Sequence, residues 1–74
     1  MEEKILGIVN TIRTSKGLNT LSSIQPENNL RNDLEFSSFD LAELTVRIED
    51  IFDIDIFEDG IVNTVGEIYQ KLKK

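Results

Sequence analysis

Ser37-Ser38-Phe39-Asp40 is the segment whose residue types and spacing carry the most chemistry. A Ser followed by Asp three places on is a helix-start signature. Ser37 reads as the N-cap, its hydroxyl committed to backbone N–H groups. Ser38 is then the first helical residue, with its hydroxyl free and outward. A phosphate ester on Ser38 would lie beside unpaired N–H groups at the positive end of the helix dipole, so Ser38 is a candidate modification site. Other chemistries fall away. The chain has no His and no Cys, which removes imidazole and thiol catalysis, zinc sites and disulfides. Asp53-Ile54-Asp55 opens like a calcium loop, but Phe57 and Glu58 occupy the next positions where the loop needs a ligand and then Gly. Asp53 and Asp55 as a hydrolytic pair would point apart on one short segment and form no pocket.

The elements that position Ser38 belong to a short chain. Its 74 residues are read as one domain over 1–74, with 39% hydrophobic and 30% charged residues, the balance of a globule rather than a disordered tail. A domain this size buries only about 60% of its unfolded surface, so stability rests on a small apolar core. The net charge of −6 argues against nucleic acid or an anionic membrane as partner. Residues 33–59 hold ten acids and one base, Arg47: the acids are Asp33, Glu35, Asp40, Glu43, Glu49, Asp50, Asp53, Asp55, Glu58 and Asp59. That middle third is where a partner is expected to dock, and its self-repulsion should make the fold sensitive to salt. The start, MEEKILGIVN, has acids where a secretory signal needs positive charge, and the apolar run Ile5–Val9 is far short of a membrane span. The cytoplasm is the default location, and a monomer the expected state.

Hydrophobic spacing is helical throughout. Residues 3–14 place Ile5, Leu6, Ile8, Val9 and Ile12 on one stripe. From Ser15 to Ser37 the pattern dissolves into Ser, Asn, Gly and the lone Pro26, a long loop whose Leu18, Leu21, Ile24 and Leu30 should pin it over the core. A second helix is predicted from about Ser38 to Phe52. Asp53 to Gly60 breaks it, with a short fourth helical turn expected after Phe57. Thr64 starts the last helix, with Glu67 completing its capping box and Val65, Ile68 and Leu72 as its stripe. Lys71, Lys73 and Lys74 suit its C-terminal end. The predicted class is all-α: a small four-helix bundle of three main helices and one short one, with a long first loop.

Within the second helix, Leu41, Leu44, Ile48, Ile51 and Phe52 fall on one arc and form the expected core stripe. Asp40, Glu43, Arg47 and Asp50 occupy an adjoining arc predicted to face water. Phe39, Ala42, Val46 and Glu49 lie opposite the core. Two apolar residues, Phe39 and Val46, bracketed by carboxylates suggest a docking surface for a partner with basic groups around an apolar pocket. Phe39, Asp40, Glu43, Val46, Glu49 and Asp50 are the candidate partner-binding residues.

Residues 30–56, LRNDLEFSSFDLAELTVRIEDIFDIDI, resemble the centre of the acyl carrier proteins. That family reads Asp-Leu-Gly-x-Asp-Ser-Leu-Asp, then an acidic amphipathic helix, then Glu-x-x-Phe and an x-Ile-x-Ile stretch. Asp33-Leu34, Ser38, Phe39, Asp40, Glu43-Leu44, Ile48-Glu49-Asp50, Phe52 and Ile54-Asp55-Ile56 align without a gap. Asn63-Thr64-Val65-Gly66-Glu67-Ile68 resembles the start of the family's last helix. Two positions depart: Glu35 stands at the usual Gly and Ser37 at the usual Asp. Ser37 is a rival attachment site, set aside because Leu44, Ile48 and Phe52 align only with Ser38 as the family serine.

The resemblance implies a non-catalytic carrier. A phosphopantetheinyl transferase would place 4′-phosphopantetheine on Ser38, and the arm's thiol would hold acyl groups as thioesters. Acyl-loading, ketosynthase-type or acyltransferase enzymes with basic docking patches would be the other partners, in fatty-acid, lipid or polyketide-type synthesis. Leu44, Ile48, Ile56, Val62 and Ile68 are the candidate acyl-chain lining. The alternatives are an aminoacyl or peptidyl carrier, or an unmodified interaction module on the same fold. The two departures favour a specialised carrier over the housekeeping one.

Overall fold

A computed structural model describes residues 2–58 and 60–73; Asp59, one of the ten central acids, and Lys74, assigned above to the last helix end, lie outside the described residues. Helix α1 spans Glu2–Ser15, α2 Ser38–Phe52 and α3 Val65–Leu72. In α1 the stripe buries Ile5, Ile8, Val9 and Ile12, while Leu6 at its margin is half-buried. The helix stops where Gly17 takes φ 82°, a conformation that glycine adopts without a Cβ penalty, and Leu18 N–H closes back on the Arg13 carbonyl at 2.9 Å.

The loop after α1 is pinned as its apolar residues predict, and more firmly than they suggest. Leu30, Leu34 and Phe36 are buried in the core, and Leu21 and Ile24 pack against it. Its backbone polar groups find partners on α1. Asn10 Nδ2 donates to the Leu21 carbonyl and its Oδ1 accepts from the Leu21 amide. Arg13, itself buried, donates from Nε to the Asn19 carbonyl and from Nη1 to the Leu34 carbonyl, both at 2.9 Å. A buried guanidinium satisfied by carbonyls braces a loop that has no periodic structure of its own.

The same loop is stitched to α3. Asn29 and Thr64 form an isolated antiparallel bridge, and the Gly66 amide donates to the Pro26 carbonyl at 2.8 Å. A Cβ at Gly66 would lie 3.0 Å from that oxygen, so this position of the Thr-Val-Gly segment has little room for a side chain. Thr64 and Glu67 form the expected reciprocal capping box of α3.

Two expectations for α2 are corrected, and the short helix expected after Phe57, which runs into Asp59 outside the described residues, is not confirmed. Leu44 and Ile48 are fully buried, and Leu41 and Phe52 pack on the core, but Ile51 remains 49% exposed. It sits about 60° around the helix from Ile48, at the edge of the arc. The groove it borders contains Gly7 of α1, which offers no side chain to cover it. Asp40, expected in water, is only 6% exposed. Its carboxylate folds back onto the helix start and receives Lys16. After α2, Asp53 adopts the left-handed conformation and ends the helix. The segment then runs through turns: Asp55 Oδ1 takes the Phe57 amide and the Glu58 amide donates to the Asp55 carbonyl. Among the described residues this stretch forms no fourth helix, because side-chain acceptors and Gly60 at φ 137° divert the backbone. The result is a three-helix all-α fold around one core of α1, α2, α3 and loop residues.

Candidate functional site

The site is built at the N-terminus of α2. Ser37 is the N-cap with extended backbone, and the capping box with Asp40 is complete in both directions. Ser37 Oγ accepts from the Asp40 amide at 3.3 Å and donates to Asp40 Oδ2 at 3.0 Å. The Ser37 hydroxyl is therefore committed as both donor and acceptor, as its role as cap requires. Ser38, one residue on, is exposed at the first position of the helix. Its hydroxyl is not entirely free: Arg31 Nη1 donates to Ser38 Oγ at 3.2 Å. That contact occupies a lone pair and leaves the hydroxyl proton unpaired by the protein.

Lys16 ties this helix start to the end of α1. Its Nζ bonds Asp40 Oδ2 at 2.6 Å and also donates to the Glu35 carbonyl, and it lies 6.0 Å from the centre of the Phe36 ring. Burial pushes the Asp40 carboxyl up, but the hydrogen bond from Lys16, those from the Ser37 amide and hydroxyl, and the ammonium charge outweigh it. The net effect holds Asp40 below its ordinary value and keeps it ionised. Asp40 therefore contributes to the site by holding Ser37 and Lys16, and offers no charge to an outside partner.

Glu35, at the position where the resembling family carries Gly, has φ 61°. The left-handed turn between Leu34 and Phe36 lets both side chains enter the core while the chain reverses into α2. A glycine meets that requirement without strain; a glutamate does so at a cost of about 1–2 kcal/mol. Its carbonyl is held by Lys16, and its carboxylate lies 4.0 Å from Arg13.

The proposed docking residues separate into groups. Phe39 and Val46 are 79% and 64% exposed. Val46, Glu43, Glu49 and Asp50 line an open groove along α2 together with Arg47 and Asp53, whereas Phe39 lies outside it. Glu43 is already paired with Arg47 at 2.9 Å, so Glu49, Asp50 and Asp53 are the exposed carboxylates that the groove presents. The five candidate lining residues, Leu44, Ile48, Ile56, Val62 and Ile68, are each no more than 1% exposed and meet in one core cluster.

Sequence reading missed Arg31 and Lys16, and the burial of Leu34 and Phe36. Arg31 reaches Ser38 from a turn of the loop and Lys16 reaches Asp40 from 24 positions away, neither along one helix. The alternation Leu34-Glu35-Phe36 was the available sign that this loop end turns two side chains inward.

The surroundings of Ser38 suit a phosphate ester: an exposed hydroxyl, a helix N-terminus and a guanidinium already in contact. Comparison with known proteins agrees with this geometry. Residues 6–72 match the family described as phosphopantetheine attachment site. The chain is 44% identical over 50 residues to the acyl carrier protein of Amoebophilus asiaticus, covering 65% of this chain and 62% of that one. To the acyl carrier protein of a Picosynechococcus it is 45% identical over 47 residues, covering 61% and 58%. These two matches thus span about three fifths of the relatives' length. That of Acidothermus cellulolyticus is 34% identical over 68 residues, covering 89% of this chain and 80% of the relative. No solved structure matches the chain. With the family model matching residues 6–72 and a relative 34% identical over most of both chains, the chain belongs to the phosphopantetheine-attachment family of the acyl carrier proteins.

Proposed function

We propose that Ser38 is the attachment site of 4′-phosphopantetheine and that the protein carries acyl groups between biosynthetic enzymes. The observation that supports this reading best is the division of labour between the two serines. Both serines are exposed, but Ser37 is bound into the capping box on both sides of its hydroxyl, whereas Ser38 Oγ only accepts from Arg31 and keeps its proton available. In the loading step, Ser38 Oγ displaces adenosine 3′,5′-bisphosphate from coenzyme A. One Oγ–P bond forms, one P–O bond of the pyrophosphate breaks, and the hydroxyl proton passes to a base of the transferase. The arm, once attached, supplies a thiol on which acyl groups ride as thioesters.

The remaining residues of the chain serve that role without catalysis. The capping box and Lys16 fix the helix start that presents Ser38. Glu49, Asp50 and Val46 meet the basic docking patches of the transferase and of ketosynthase-type or acyltransferase enzymes. Leu44, Ile48, Ile56, Val62 and Ile68 form the interior into which a short chain would be drawn. The described residues include no helix long and apolar enough to cross a membrane. We place the protein in the cytoplasm as a single-domain monomer, alongside the coenzyme A that loads it. Incubation with coenzyme A and a broad-specificity transferase should add the mass of one phosphopantetheine to the protein and none to a Ser38→Ala variant. An unchanged mass across several transferases would instead favour an unmodified interaction module.

A further inference from the structure

We propose that Arg31 is a positioning residue for the phosphodiester on Ser38: it orients the hydroxyl before loading and pairs with the phosphate afterwards. The inference rests on Ser38 being the attachment site and adds a residue that neither the motif nor the helix start implies.

Three observations carry it. First, Arg31 Nη1 lies 3.2 Å from Ser38 Oγ, the atom that would bear the phosphorus. Second, the guanidinium is uncommitted: among the described residues no carboxylate pairs with Arg31, although Arg13, Lys16 and Arg47 each have one within 4.0 Å. A guanidinium carries five N–H donors in a planar fork matched to phosphate oxygens, and only this one contact is made. Third, the backbone that carries Arg31 is held on both sides. Leu30 is fully buried and its amide donates to the Asn63 carbonyl at 2.8 Å. Asn29 Oδ1 accepts from the amides of Arg31 and Asn32, both at 2.9 Å, and Asp33 Oδ2 accepts from the Asn29 amide at 2.6 Å. The Asp33 and Leu34 amides both return to the Asn29 carbonyl. Arg31 therefore projects from a fixed turn, and little backbone order has to be gained when an anion arrives.

The electrostatic setting makes such a partner useful. The segment from Asp33 to Asp59 contains ten acids and one base, and a phosphodiester adds another negative charge at its head. Arg31 offsets that charge at the attachment point while the acids farther along α2 remain available to partners. In the unmodified protein the same N–H occupies an Oγ lone pair, so the hydroxyl proton is not spent on Arg31.

The test compares wild type, Arg31→Gln and Arg31→Lys, each before and after loading, with the adduct located by peptide mass. The chain has three arginines, and the Arg31 Nε–H resonance is the one absent from Arg31→Gln. On loading of the wild type, that resonance should shift and exchange more slowly with water, while those of Arg13 and Arg47 stay in place. The increase in melting temperature on loading should be about 2–4 °C larger for wild type than for Arg31→Gln, and the difference should shrink at high salt. Arg31→Lys should fall between them, since an ammonium keeps the charge and loses the fork. An unmoved Arg31 resonance in protein loaded at Ser38, with equal melting shifts in all three variants, would overturn the proposal and leave the attachment site standing. If the transferase rejects the variants, the wild-type resonance decides alone. An adduct elsewhere than Ser38, or none, overturns both.

Discussion

At the scale of single residues, Glu35 and Ser37 show how this chain builds the start of α2 with its own side chains. Ser37 caps α2 through its hydroxyl and draws Asp40 into a reciprocal bond, so the exchange from Asp leaves the helix start intact. Glu35 occupies a left-handed turn that glycine would adopt more readily. Relieving that strain while adding glycine's unfolded-state entropy should leave Glu35→Gly more stable by up to about 1 kcal/mol. Thermal unfolding should show a rise of roughly 2–6 °C on the scaling for a domain this size. Glu35→Ile, β-branched at positive φ, should melt lower than wild type. A lower melting temperature for Glu35→Gly would mean that the Arg13–Glu35 contact outweighs the backbone strain.

At the scale of elements, the helix bounds were legible because caps are local. Ser37-x-x-Asp40 and Thr64-x-x-Glu67 mark the starts of α2 and α3 within four residues, and the structure places both boxes there. The short fourth helix expected after Phe57 is not confirmed among the described residues, where Asp55 accepts from the Phe57 amide and Gly60 takes a positive φ, features that hydrophobic spacing does not record. On α2 itself, the exposure of Phe39 and Val46 follows from the arc they occupy, whereas Asp40 escaped the same rule through a partner 24 residues away. Beside Asp53 at its end, the groove therefore rests its charge on Glu49 and Asp50 of α2. Replacing both by Lys should slow loading by a transferase about tenfold or more at low ionic strength, with the difference fading as salt rises. The helical circular dichroism should be retained, since both side chains are exposed. Unchanged loading rates at low salt would mean that this face is solvated and no more.

For the whole molecule, the long loop behaves as a fourth structural layer without being helical. It contributes Leu30, Leu34 and Phe36 to the core and is tied to α1 by Asn10, Arg13 and Lys16 and to α3 through Pro26, Asn28 and Asn29. Its role as a cover was readable from its scattered leucines; its hydrogen-bond partners were not, because they join residues far apart in sequence. One such tie makes stability depend on acid. In Asp40, the bonds from Lys16 and Ser37 outweigh burial and lower the carboxyl's affinity for protons in the folded state. In Glu67, the amides of Asn63 and Thr64 act in the same direction. A carboxyl with a lowered folded value binds protons more readily when unfolded. Its contribution is thus complete above the ordinary carboxyl range and is lost as pH falls below about 4. Chemical unfolding measured from about pH 6 down to about pH 2.5 should show that loss, and Asp40→Asn should start less stable and fall less steeply. Parallel curves for the two proteins would show that the Asp40 tie does not couple to protonation.

The central claim is that this carrier fold presents Ser38, and not its neighbour, for loading. Ser37 is bound within the capping box and Ser38 stands outside it, one residue apart, so the assignment can be read directly from the modified protein. Fragmentation mass spectrometry of the loaded wild-type peptide, cleaving between the two serines, should find the phosphopantetheine on the fragment that contains Ser38 and leave Ser37 unmodified. An adduct on the Ser37 fragment would contradict the account at its base, since it would require the N-cap of α2 to be given up for attachment.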